Sequence, residues 1–101
     1  MGSVAPVLTC IRGSLAGQQF QIADASVNIG RNRECYIQVT GDGTVSGDHA
    51  EILKRPDGLW VRDLGSTNGT FVNGHQISEA HRLNEGDRVE CGTGGTLFMV
   101  S

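Results

Sequence analysis

Arg31 follows a glycine in "NIGRN". Ser46 and His49 stand three residues apart in "VSGDHAEI". Ser66, Thr67 and Asn68 run together in "DLGSTNGTFVNG", residues 63–74. An arginine offers a planar fork of N–H donors suited to phosphate. Serine and threonine hydroxyls add short donors, and an asparagine amide both donates and accepts, as contact with a peptide main chain requires. Together these groups suit capture of an anion. Each also has a plainer reading: a solvated arginine in a Gly-Arg turn, a serine bonding its own backbone, an imidazole bridging a loop to the core. A Ser–His pair also raises nucleophilic catalysis, but a triad needs a third group to orient the base and an oxyanion site. Ser46 is not in a G-x-S-x-G elbow either, so no catalytic residue is assigned.

The segments that must position these groups read as strands. "VLTCIR" begins at Val7. "QQFQIA" puts Phe20 and Ile22 on one face, and "SVNIG" does the same for Val27 and Ile29. "YIQV", "HAEILKR", "LWVRDL", "TFVNG", "DRVECG" and "TLFMVS" complete the series. Nearly every gap carries Gly, Asn, Asp or Ser, which at this spacing predicts an all-β sandwich or barrel. Fifteen glycines suit many tight turns. "RPDGLW" reads as a hairpin, and Asn-Gly at 68–69 and 73–74 favours primed turns. The nearest approach to a helical pattern is "ISEAHRLNEG", which is short and ends in turn residues. Residues 1–6 are expected to be a flexible N-terminal segment or cloning remnant, and residues 7–101 one domain.

The chain has 101 residues, enough for one core. A formal charge of −3 argues against coating nucleic acid with a broad basic surface, though not against a focused anion pocket. No run approaches the roughly 18 apolar residues of a membrane span, and the start lacks the pattern of a signal peptide. Cys10, Cys35 and Cys91 are odd in number and form no C-x-x-C pair. They point to a reducing, intracellular (cytoplasmic) compartment and to no metal site or cofactor; Cys10 and Cys91 read as buried strand residues.

Taken in order and at these separations, "IGR", "S-x-x-H", "LGSTNGT-x-x-NG" and the "L-x-x-GD-x-V-x-x-G" of residues 83–92 resemble the forkhead-associated (FHA) domain over nearly the whole chain. The resemblance implies an eleven-stranded antiparallel β-sandwich with binding loops at one end. It implies a binding module rather than an enzyme, whose partner is a threonine-phosphorylated protein or peptide. By that likeness Arg31 and Ser46 contact the phosphate, Thr67 bonds the phosphate or its framing loop, and Asn68 holds the peptide main chain. Gly30, His49, Gly69 and Asn73 shape the pocket. The family pattern usually has Arg, or another side chain able to hydrogen-bond, after its Ser; here Gly47 can offer only its backbone N–H. An alternative is therefore a scaffolding domain of the same fold with weakened phosphate binding. Asp42, Asp48 and Glu51 fall near the expected rim, where they would favour basic or neutral flanking residues. The isolated domain is expected to be a monomer.

Overall fold

A computed structural model describes residues 5–101. Its strands are β1 (Val7–Arg12), β2 (Gln19–Gln21), β3 (Ser26–Gly30), β4 (Ile37–Gln38), β5 (Ala50–Arg55), β6 (Gly58–Asp63), β7 (Thr70–Val72), β8 (His75–Gln76), β9 (His81–Leu83), β10 (Arg88–Cys91) and β11 (Thr96–Val100). They form a six-stranded sheet, β2-β1-β11-β10-β7-β8, and a five-stranded sheet, β4-β3-β5-β6-β9. The expected all-β sandwich is present, and no helix long and apolar enough to cross a membrane occurs among the described residues.

One detail departs from the sequence reading. β3 and β4 pair in parallel, Ile29 with Ile37 and Gly30 with Gln38. The other pairs among the described residues are antiparallel. Parallel neighbours ordinarily need a long crossover. β4 has only two residues, so the loop 31–36 need only swing out and return. Cys35 N donates to Asn32 O at 3.1 Å to close that loop, and the Tyr36 hydroxyl donates to Gln21 O at 2.9 Å. The segment nearest to a helical pattern, which is too short to make a helix, holds β9. Its Leu83 pairs opposite Leu59 and is buried with it, so tertiary burial decides where local preference is weak.

Alternation along each strand decides which side chains meet between the sheets. Leu8, Cys10, Val72, Val89, Cys91, Phe98 and Val100 are buried from one sheet. Val27, Ile29, Ile37, Ala50, Ile52, Leu59, Val61 and Leu83 are buried from the other. Burying each large aliphatic side chain stabilises the fold by about 1.5–3 kcal/mol. All three cysteines are free and buried, and burial pushes the Cys91 thiol well up.

This packing sorts the connections into two poles. Loops 31–36, 39–49, 64–69 and 92–95 gather at one. Turns 56–57, 73–74 and 84–87 lie at the other, where Val7 N donates to Ser101 O and Ser101 N to Val7 O. Of the expected N-terminal segment, residues 1–4 lie outside the described residues; Pro6 O accepts from Ile22 N at 2.8 Å.

Candidate functional site

Gly30 ends β3, and Arg31 is the first residue of the loop beyond it. A Cβ on Gly30 would stand 2.1 Å from Gly47 O and 3.0 Å from Cys35 Sγ. Only glycine lets the two loops come this close. The approach is sealed by Arg31 N donating to Ser46 O and Asn32 N to Gly47 O, both at 3.0 Å. The exposed guanidinium of Arg31 forms no ion pair among the described residues.

His49 is fully buried behind this junction. Its Nδ1 takes the backbone N–H of Ser46 at 3.0 Å, and its Nε2 lies 2.7 Å from Gly69 O. A backbone N–H can only donate, so Nδ1 is the acceptor and the proton sits on Nε2, donating to Gly69. The imidazole thus ties loop 39–49 to loop 64–69. Neither ring nitrogen bonds the Ser46 hydroxyl, so no base is placed on Oγ. That oxygen instead accepts the Thr67 N–H at 3.1 Å, which leaves its own proton to donate outward.

Loop 64–69 is wound around Asp63. Its carboxylate accepts from Gly65 N and Ser66 N at 2.9 Å each, from Ser66 Oγ, and from Thr70 Oγ1 at 2.7 Å. Burial pushes this carboxyl up, but the bonds from Ser66, Thr70 and Gly65 outweigh it, and the group titrates below its ordinary value. Ser66 Oγ also accepts from Gly69 N at 2.9 Å, so Ser66 is a structural residue.

A second carboxylate does the same for loop 39–49. Asp42 accepts from Thr44 N, Thr44 Oγ1 and Thr96 Oγ1. Thr44 Oγ1 in turn accepts from Thr93 N and Gly94 N at 3.1 and 2.8 Å. Thr44 O accepts one N–H of the Asn68 amide at 3.0 Å, which fixes the carboxamide plane and leaves its oxygen and second N–H for a ligand.

The result is a cleft of about 360 Å³ lined by Gly43, Thr44 and Val45 together with Arg31, Ser46, Gly47, Thr67 and Asn68. Clefts of comparable or larger volume lie elsewhere, so volume does not single this one out; its outward donors do. The structure therefore brings together all five residues expected to contact ligand. Gly30, His49 and Gly69 stand directly behind them. Asn73 does not join them: it lies at the far end of β7, where Nδ2 donates to Asp87 and Oδ1 accepts from Arg88 N, each at 3.0 Å.

The acidic rim is not formed. Asp42 is spent on Thr44 and Thr96, and Glu51 is paired with Arg62 at 2.6 Å on the sheet face. Asp48 lies 3.7 Å from Cys35 Sγ and does not line the cleft. Sequence reasoning missed Asp42, Thr44 and Asp63 as the groups that hold the loops. A faint signal existed in D-x-T and D-x-x-S, spacings at which an Asp side chain bonds nearby backbone N–H groups.

The family model described as the FHA domain matches residues 27–92. The glycogen accumulation regulator GarA of Mycobacterium tuberculosis is 36% identical over 93% of this chain and 57% of its own length. Among solved structures, an FHA domain of a Chlamydia trachomatis protein superposes with a TM-score of 0.85 at 27% identity, covering 95% of both chains. A structure of phosphothreonine-dependent FHA domain interactions superposes at 0.81 with 30% identity, covering 95% of this chain and 94% of that one. The chain spans between 54% and 65% of the length of the curated relatives it matches.

Proposed function

The chain belongs to the FHA domain family, and from that premise we propose that it is a phosphothreonine-dependent protein–protein interaction module. The observation that carries this reading is the set of outward donors on one cleft. Among the described residues Arg31 forms no ion pair, the Ser46 hydroxyl has its proton free, and Thr67 and half of the Asn68 amide face the same space. A phosphothreonine carries about −1.5 to −2 charges near neutral pH. One guanidinium and a few oriented donors bind such a group without a basic surface, each charge-assisted bond contributing about 1.5–3 kcal/mol.

Roles follow from position. Arg31 and Ser46 hold the phosphate, Thr67 bonds it from the facing loop, and Asn68 holds the peptide main chain. Gly47 lines the cleft, and among the described residues its backbone N–H has no hydrogen-bond acceptor, so it remains a donor. No base sits on Ser46 Oγ, which supports a binding role over hydrolysis. The three reduced cysteines support a cytoplasmic or other reducing setting. The isolated domain acts as a monomer.

The test is a titration of isotope-labelled domain with a degenerate phosphothreonine peptide pool, read by amide NMR. Phosphoserine and unmodified threonine pools serve as controls. Shifts at Arg31, Ser46, Gly47, Thr67 and Asn68 with the phosphothreonine pool alone are expected, and Arg31→Ala should remove them. Equal shifts with unmodified threonine would refute phosphate recognition and favour scaffolding by the same fold.

A further inference from the structure

A Cβ placed on Gly47 would lie 2.9 Å from Asn32 Oδ1, 3.1 Å from Nδ2 and 3.2 Å from Cγ. The carboxamide of Asn32 therefore stands where a side chain at position 47 would begin. The Asn32 backbone is pinned on both sides: its N–H donates to Gly47 O, and its carbonyl accepts from Cys35 N. The residue is exposed and directly follows Arg31. Gly47 itself lines the cleft, whereas Asp48, the nearest carboxylate in sequence, is turned toward Cys35. A neutral amide with donor capacity thus lies against Gly47, between two residues that line the cleft, Arg31 and Gly47, and its backbone is held by the bonds to Gly47 and Cys35.

We propose that Asn32 is a further phosphopeptide-binding residue, its carboxamide donating to the ligand from the space that Gly47 leaves open. The inference rests on the phosphothreonine reading above. It explains how the cleft accommodates a glycine at position 47: the side-chain donor comes from the neighbouring loop. It also makes positions 32 and 47 interdependent, since a side chain at 47 and the present position of the Asn32 amide exclude each other.

The experiment uses the tightest-binding peptide drawn from an oriented phosphothreonine library on the wild-type domain, together with its unphosphorylated form. On adding the phosphorylated peptide alone, the side-chain NH₂ signals of Asn32, identified by their loss in Asn32→Ala, should shift. Calorimetry should show Asn32→Ala binding about tenfold more weakly, the loss of one charge-assisted bond. In a Gly47→Asn background, where the amide is already displaced, adding Asn32→Ala should change affinity by less than about twofold, the non-additivity expected of groups sharing one space. Backbone amide spectra of each variant check that the loops are intact; if Asn32→Ala is misfolded, the wild-type NH₂ signals decide. If wild type binds, Arg31→Ala abolishes binding, and Asn32→Ala matches wild type with unmoved NH₂ signals, this inference alone is overturned. If wild type ignores the phosphorylated peptide, the proposed function fails and the inference falls with it.

Discussion

At one pole of the sandwich, half-buried and buried side chains tie loops distant in sequence; at the other, short turns are closed by their own backbone and by exposed bonds of Asn73 and Asp87. Asp63, Asp42 and His49 hold the cleft pole, each joining groups that are distant in sequence or in different loops. At the far pole, Pro56 and Asp57 connect the directly paired Arg55 and Gly58. Asn73 and Gly74 make a turn with φ of +51° and +85°, the signature of a type I′ hairpin. The difference teaches how a binding end is made from small polar residues. Inward hydrogen-bonding capacity is consumed by half-buried acids and a buried imidazole, so the outward groups are held in place while remaining free for ligand. The far pole's side-chain bonds, from Asn73 and Asp87, close two of its turns and present no outward donors to a cleft.

Substitutions at the two poles should therefore differ in kind. The largest effect is expected for Gly30→Ala, where the new methyl meets a backbone carbonyl that cannot rotate away. It should destabilise the domain by on the order of 3 kcal/mol, as overpacking does, and peptide binding should fall with it; thermal melting and calorimetry read both. Asp63→Asn should cost about 2 kcal/mol by weakening charge-assisted bonds. It should also alter the acid limb of stability. The folded Asp63 titrates below its ordinary 3.8. Its contribution is thus present above that pH and lost as pH falls through the lower folded value. Melting temperatures between pH 6 and 2 should fall less steeply in the variant.

At the far pole, Asn73→Ala removes two hydrogen bonds and leaves a Cβ residue at positive φ. A loss of about 1.5 kcal/mol in stability is expected, with affinity for a phosphothreonine peptide unchanged. A large loss of affinity would show that the poles are coupled through β7. Asp57→Ala should have the smallest effect, about 0.5 kcal/mol in urea unfolding. It removes only the exposed bond from Trp60 Nε1 at 3.0 Å, and binding should not change.

The same contrast governs what could be read before the fold was known. β1 and β3 were legible to the residue because β1 is rich in β-branched and apolar residues and the apolar residues of β3 alternate. The 56–57 and 73–74 turns were legible because Pro-Asp-Gly and Asn-Gly carry their geometry locally. β8 and β9 were not, since two or three mostly exposed residues hold no period and exist only through their neighbours. The parallel pairing of β4 follows from a loop path that no local pattern encodes. At the cleft, Arg31, Ser46, Gly47, Thr67 and Asn68 could be named from family spacing, whereas Gly43, Thr44 and Val45 could not. The tie between Asp42 and Thr96 spans 54 positions, and the nearness of Asn32 to Gly47 depends on two loops meeting over Gly30. Such relations become visible only once the sheets are packed.

The mutual hydrogen bonds of Val7 and Ser101 have a mechanical consequence. β1 and β11 run antiparallel from that point, so grips attached at these two residues pull the strands apart crosswise rather than sliding them along one another. The ladder then opens one bonded pair at a time, from Leu8 and Val100 toward Arg12. Tension applied there peels the sandwich at low force, as a zipper opens from its end, and reaches the cleft loops last.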